Sequence, residues 1–92
     1  MLDKLNAVEQ RYDELLRQLG TSEVQSDPPE YRKAAKAAAD LQPLVERFRE
    51  YKDVVRDLTQ TEELAAAGDA DMRDLAREEL RSLVAKRDAL LA

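Results

Sequence analysis

Carboxylates crowd one short stretch of this 92-residue chain, GDADMRDLAREEL, from Gly68 to Leu80. Asp69, Asp71 and Asp74 stand at its front and Glu78 and Glu79 follow; another adjacent pair, Glu62 and Glu63, precedes it. Clustered carboxylates can hold a divalent cation, or serve as general acid and base where a partly dry cleft shifts their pKa. The spacing suits neither task. The three aspartates lack the central glycine and closing glutamate of a calcium loop. Adjacent glutamates on a helix point in different directions, and nothing around these pairs signals a cleft, so they read as solvated faces.

Missing residue types narrow the chemistry further. Without histidine or cysteine, a Ser-His-Asp triad, a Cys-His pair, a disulfide and the usual zinc sites are all excluded. Glycine stands only at Gly20 and Gly68, so no glycine-rich loop can cradle phosphate. No catalytic, metal or cofactor residue is expected. The absence of cysteine suits a reducing cytosol.

Basic residues offer a different candidate. Arg73, Arg77 and Arg81 recur every four residues, which puts them on one ridge of a helix, with Asp74 and Glu78 forming an acidic ridge beside it. A ridge of this kind can meet nucleic-acid phosphate. Against it stands a net charge of −5, which gives the chain no bulk attraction to nucleic acid and favours a solvated face. Arg32, Lys33 and Lys36 make a weaker second patch. Tyr12, Tyr31, Phe48 and Tyr51 lie on or beside apolar stripes and read as core rather than as base-stacking platforms.

The elements that carry these residues are helical. Charged residues make up 38% of the chain and aromatics 4%, the composition of long solvated helices rather than of a sheet. In the first segment, Leu5, Val8, Tyr12, Leu15 and Leu19 step by three and four, widened by Leu2 and Leu16; this predicts a helix over about 2–19. Gly20 stands where a left-handed cap would end it. After the polar connector TSEVQSD, Asp27, Pro28 and Glu30 form a capping-box start. The register Tyr31, Ala34, Ala35, Ala38, Leu41, Val45, Phe48, Val55, Leu58 then predicts one long helix over about 28–66. Pro43 removes a hydrogen bond and should bend it, but the apolar phase is kept across the proline. Two helices meeting there are the alternative. Gly68 closes this helix, and Asp69 falls at the N-cap of a third over about 70–91. The acids are thus a helix start: negative charge in the first turns meets the positive end of the helix dipole. Behind them run Met72, Leu75, Ala76, Leu80, Leu83, Val84, Leu90 and Leu91.

Helices of roughly 27, 60 and 33 Å at 1.5 Å per residue, joined by short loops, imply an all-α fold, an elongated antiparallel three-helix hairpin or bundle with a long central helix bent near Pro43. Residues 1–92 are expected to form a single helical domain. The outer helices each reach only half of the central one, so a homodimer of the isolated chain is expected in concentrated solution, the alternative being a bent, closed monomer. No apolar run approaches a membrane span of about 20 residues, and the charged first residues are unlike a signal peptide.

The order of the pieces is similar to that of a known family. A short leading helix, the segments LQPLVERFREYK and RFREYKDVVRDLTQTEELA, and then DADMRDLAREELRSL resemble the N-terminal domain of bacterial peptide chain release factor one, a class I release factor. Asp71, Met72, Arg73, Ala76, Glu79 and Leu80 carry the resemblance in the last stretch. It implies a cytoplasmic role in translation termination at the stop codons UAA and UAG. It further implies contact with the ribosome near the large-subunit stalk base and with the GTPase release factor. The family hydrolyses peptidyl-tRNA with Gly-Gly-Gln and reads stop codons with a Pro-x-Thr-type tripeptide; this sequence contains neither. The chain is therefore expected to be the first domain alone, ending just after the third helix, with no enzymatic activity of its own. The competing reading is an unrelated helical scaffold or coiled-coil adaptor. Sequence running on past Ala92 into a domain with Gly-Gly-Gln would separate the two.

Overall fold

The computed structural model describes residues 2–92. Four helices occupy them: α1 (Leu2–Leu19), α2 (Ser22–Gln25), α3 (Pro28–Ala67) and α4 (Ala70–Leu91). No strand occurs among the described residues. The fold is all-α, with helices turned back on one another. Two compact units divide the chain, Met1–Glu46 and Arg47–Ala92.

In the first unit the exit from α1 differs from the expected left-handed cap. No glycine among the described residues has a positive φ. Instead the Gly20 N–H donates to the Arg17 carbonyl at 3.1 Å and the Thr21 N–H to the Gln18 carbonyl at 3.0 Å. These tight turns feed directly into α2, a helix too short to show in any apolar period. Thr21 starts it, its hydroxyl oxygen accepting from the Val24 N–H at 3.4 Å and donating to the Gln18 carbonyl at 2.7 Å. Asp27 then opens α3 by accepting from the Glu30 N–H at 3.4 Å. Only this half of the expected capping box forms, because the Asp27 N–H already donates to the Val24 carbonyl at 3.0 Å. The core of the unit gathers Leu15, Ala34 and Ala38, with Tyr12, Leu19, Ala37 and Leu41 against it.

α3 runs through Pro43 without interruption. The proline denies the Ala39 carbonyl its usual partner. Ala39 and Pro43 are both exposed, so that oxygen is open to water and its loss is tolerated.

In the second unit the tail of α3 and α4 run antiparallel. Val54, Leu58 and Leu83 form the core, and Leu80, Val84 and Leu90 pack on it. Val54 is buried here, whereas Val55 is only half-buried. Val55 keeps the seven-residue phase of Phe48, but burial here depends on where α4 lies, and α4 lies over residues four apart, Val54 and Leu58. The expected α4 stripe is also narrower than its apolar residues suggest: Ala76 and Leu83 are buried, while Met72, Leu75 and Leu91 are exposed. Gly68 ends α3 by an ordinary helical bond, its N–H to the Leu64 carbonyl at 2.9 Å. A Cβ added there would come within 2.9 Å of both that carbonyl oxygen and the Met72 Cβ. Crowding at the turn, rather than positive φ, selects glycine at this corner.

Candidate functional site

The acids that open α4 resolve into helix-start chemistry. The Asp69 carboxylate accepts from the Met72 N–H at 2.9 Å, with the backbone of Asp69 extended (φ −71°, ψ 179°). Its carbonyl accepts the first helical bond, from the Arg73 N–H at 2.8 Å. Asp71 lies in the first turn. Asp74 leans on Arg77 at 3.9 Å. No group of three or more potential metal-ligating side chains occurs among the described residues. Glu62, Glu63, Glu78 and Glu79 are all exposed.

Arg73, Arg77 and Arg81 are also exposed, one helical turn apart on α4. The Asp74–Arg77 pair leaves both side chains open to solvent, and such a pair is weak and screened by salt. The three guanidinium groups are therefore free to exchange a carboxylate or water for a phosphate, which suits their planar donor fork. In the first unit Arg32, Lys33 and Lys36 are exposed as well, with Lys36 holding Asp40 at 3.3 Å. Of the aromatics, Phe48 is buried and carries the Lys52 ammonium 4.7 Å from its ring centroid. Tyr12 packs on the first core. Tyr31 departs from the core reading and stands exposed.

The electrostatic perturbations lie on α1, at Glu14 and Arg17. A hydrogen bond from Arg17, aided by its charge, holds the Glu14 carboxyl below its ordinary value, and the same bond raises Arg17. The bonds measure 2.9 Å from Nε and 2.6 Å from Nη2. This is a bidentate surface pair, and it poises no group for proton transfer at neutral pH.

One positioning residue escapes a reading by apolar period. Arg47 sends its guanidinium to the end of α4, Nε to the Leu90 carbonyl at 2.7 Å and Nη2 to the Ala89 carbonyl at 3.3 Å, with the Ala92 oxygen as a further partner. α4 has no basic residue in its last turn, so its free carbonyls and negative dipole end are met across the hairpin instead. That missing cation was visible in the sequence, and it is the signal that α4 needs one from elsewhere.

The PCRF domain model matches residues 8–92, and the chain belongs to the PCRF domain family. Among individual relatives, it is 40% identical over 92 residues to "Peptide chain release factor 1" of Myxococcus xanthus, covering 100% of this chain and 25% of the relative. It is 40% identical over 83 residues to the protein of that name in Solidesulfovibrio magneticus, covering 90% of this chain and 23% of the relative. With the Clostridium beijerinckii protein it shares 37% over 91 residues, 98% of this chain and 25% of the relative. The chain spans about a quarter of the length of these curated relatives. No solved structure gives a significant match.

Proposed function

We propose that this chain is the non-catalytic N-terminal helical domain of a cytoplasmic peptide chain release factor that directs termination at UAA and UAG. The observation that carries the reading is the identity to release factor 1 over the whole length of the chain. Within it, residues 1–92 act as one domain whose task is contact with the ribosome at the base of the large-subunit stalk and with the GTPase release factor. Arg73, Arg77 and Arg81 are the residues assigned to ribosomal contact; their exposure and common ridge support that role. Exposed Leu2, Leu16 and Leu44 support the expected pairing of isolated copies at high concentration.

Cosedimentation with ribosomes tests this function. The chain is expected to pellet with ribosomes and to be released as salt rises, since phosphate contacts weaken with counterion concentration. Purified chain alone is expected to release no peptide at a stop codon, because it has no Gly-Gly-Gln. A chain that stays in the supernatant at low salt, or one that hydrolyses peptidyl-tRNA, would overturn the reading.

A further inference from the structure

The corner between α3 and α4 carries a second surface, lined by none of Arg73, Arg77 and Arg81. An open trough of about 620 Å³ lies between Thr61 and Leu64 on α3 and Met72, Leu75, Glu78 and Glu79 on α4. Three of its walls are large apolar side chains left in water: Leu64 is 49% exposed, Met72 46% and Leu75 68%. Leu75 is the most exposed large apolar side chain among the described residues, so this trough holds the least satisfied hydrophobic surface of the second unit. The other polar wall is acidic, and no basic side chain lines the trough.

We infer that this trough is a docking groove for a basic amphipathic helix of a partner protein. Each feature restricts the occupant. An open groove with one hydroxyl and two carboxylates offers too few convergent polar groups to orient a small molecule. The two walls are helices, whose ridges and grooves accept a third helix, with anchors at i, i+3, i+4 and i+7. The thioether of Met72 adapts to differing anchor side chains. Glu78 and Glu79 fix the sign of the charge: lysines or arginines flanking the anchors gain complementary partners, and an acidic segment meets repulsion. A nucleic-acid strand is rejected for the same reason. A second copy of this chain would bring carboxylates against carboxylates on a net charge of −5, so self-pairing through this trough is disfavoured. The groove does not depend on the release-factor reading, since it rests on the walls alone.

Selection from a displayed library of helical peptides, about four turns long, tests it. Leucine is fixed at the anchor positions, Lys, Glu and Ser are free elsewhere, and the immobilised 92-residue chain is the bait. Binders are expected to be enriched in Lys at positions flanking the anchors. The selected peptide should bind about tenfold more weakly to Leu75→Ser and to the Glu78→Gln, Glu79→Gln pair, with unchanged circular dichroism in both variants. The paired glutamine variant should also lose most of the salt dependence. No enrichment, enrichment without charge preference, or binders indifferent to Leu75→Ser would each overturn the groove. So would a concentration-dependent dimer that Leu75→Ser dissolves, since a second copy would then be the occupant.

Discussion

The two units solve the same problem, one helix laid against part of α3, with different side chains. In the first, Leu15 of α1 meets Ala34 and Ala38, so a single large side chain fills a space floored by methyl groups. In the second, Leu83 of α4 meets Val54 and Leu58, and branched side chains interdigitate from both helices. A core floored by alanine permits close helix approach, and Leu15 is its one large side chain that is fully buried, with Tyr12, Leu19 and Leu41 only partly buried around it. A core shared by three branched residues loses less when one is trimmed. The corners differ in the same spirit. The first unit leaves α1 through tight turns and a four-residue helix, whereas the second reverses across Gly68 and Asp69 alone.

The sharpest way to break this comparison is to empty each core. Leu15 is 2% exposed and Leu83 4%, so replacing either by alanine should cost roughly 2–5 kcal/mol. Leu15→Ala is expected at the upper end and Leu83→Ala lower, as read by urea unfolding. Equal losses, or the reverse order, would show that the alanine floor is not the weaker design.

The corners come next. Gly68→Ala forces a Cβ to 2.9 Å from the Leu64 carbonyl oxygen, and should cost about 1–3 kcal/mol, the range for overpacking. Gly20→Ala meets only an ordinary contact, 3.4 Å from the Arg17 carbonyl oxygen, on a backbone without positive φ. It should be neutral or stabilise by about 0.4–1 kcal/mol. If Gly20→Ala were the more damaging in thermal melts, the assignment of the two corners would be reversed.

Helix starts give a smaller contrast. Asp69 caps α4 at 2.9 Å and Asp27 caps α3 at 3.4 Å. Asp69→Ala should cost about 1 kcal/mol and Asp27→Ala less. The smallest effect belongs to Glu14. Its carboxyl is held below the ordinary glutamate value of 4.5 by the Arg17 hydrogen bond. The pair's contribution is therefore present above that ordinary value and fades as pH falls through the lowered one. NMR titration should give a midpoint for Glu14 below 4.5, and Arg17→Gln should raise it.

How far these features were legible depends on their range. The all-α class followed from composition and from steps of three and four. The starts at Asp27 and Asp69 followed from capping chemistry, which is local and leaves a signature in residue type. The choice of Val54 over Val55 did not, because a single stripe was extended along α3 while the chain builds two cores, each with its own phase. α2 escaped because four residues carry no period; only Thr21 marks it. The glycines were read as positive-φ caps, the commoner use, while crowding at Gly68 depends on Met72 coming close in space. Arg47 and the trough are tertiary in the same way, since each joins residues of α3 and α4. Of the candidate site, the exposure and common ridge of Arg73, Arg77 and Arg81 were readable from their spacing, and their assignment to the ribosome rests on family resemblance.

We propose that α4 divides its labour, with the acids building the helix start and the arginines meeting the ribosome. Ribosome cosedimentation of three chains at low salt tests it most directly: the natural sequence, Asp69→Ala, and Arg73→Glu, Arg77→Glu, Arg81→Glu together. Below its own melting temperature, Asp69→Ala should bind as the natural chain does while melting earlier, and the triple variant should remain helical and lose binding. Binding lost in Asp69→Ala at an unchanged melting temperature, or retained in the triple variant, would contradict the account.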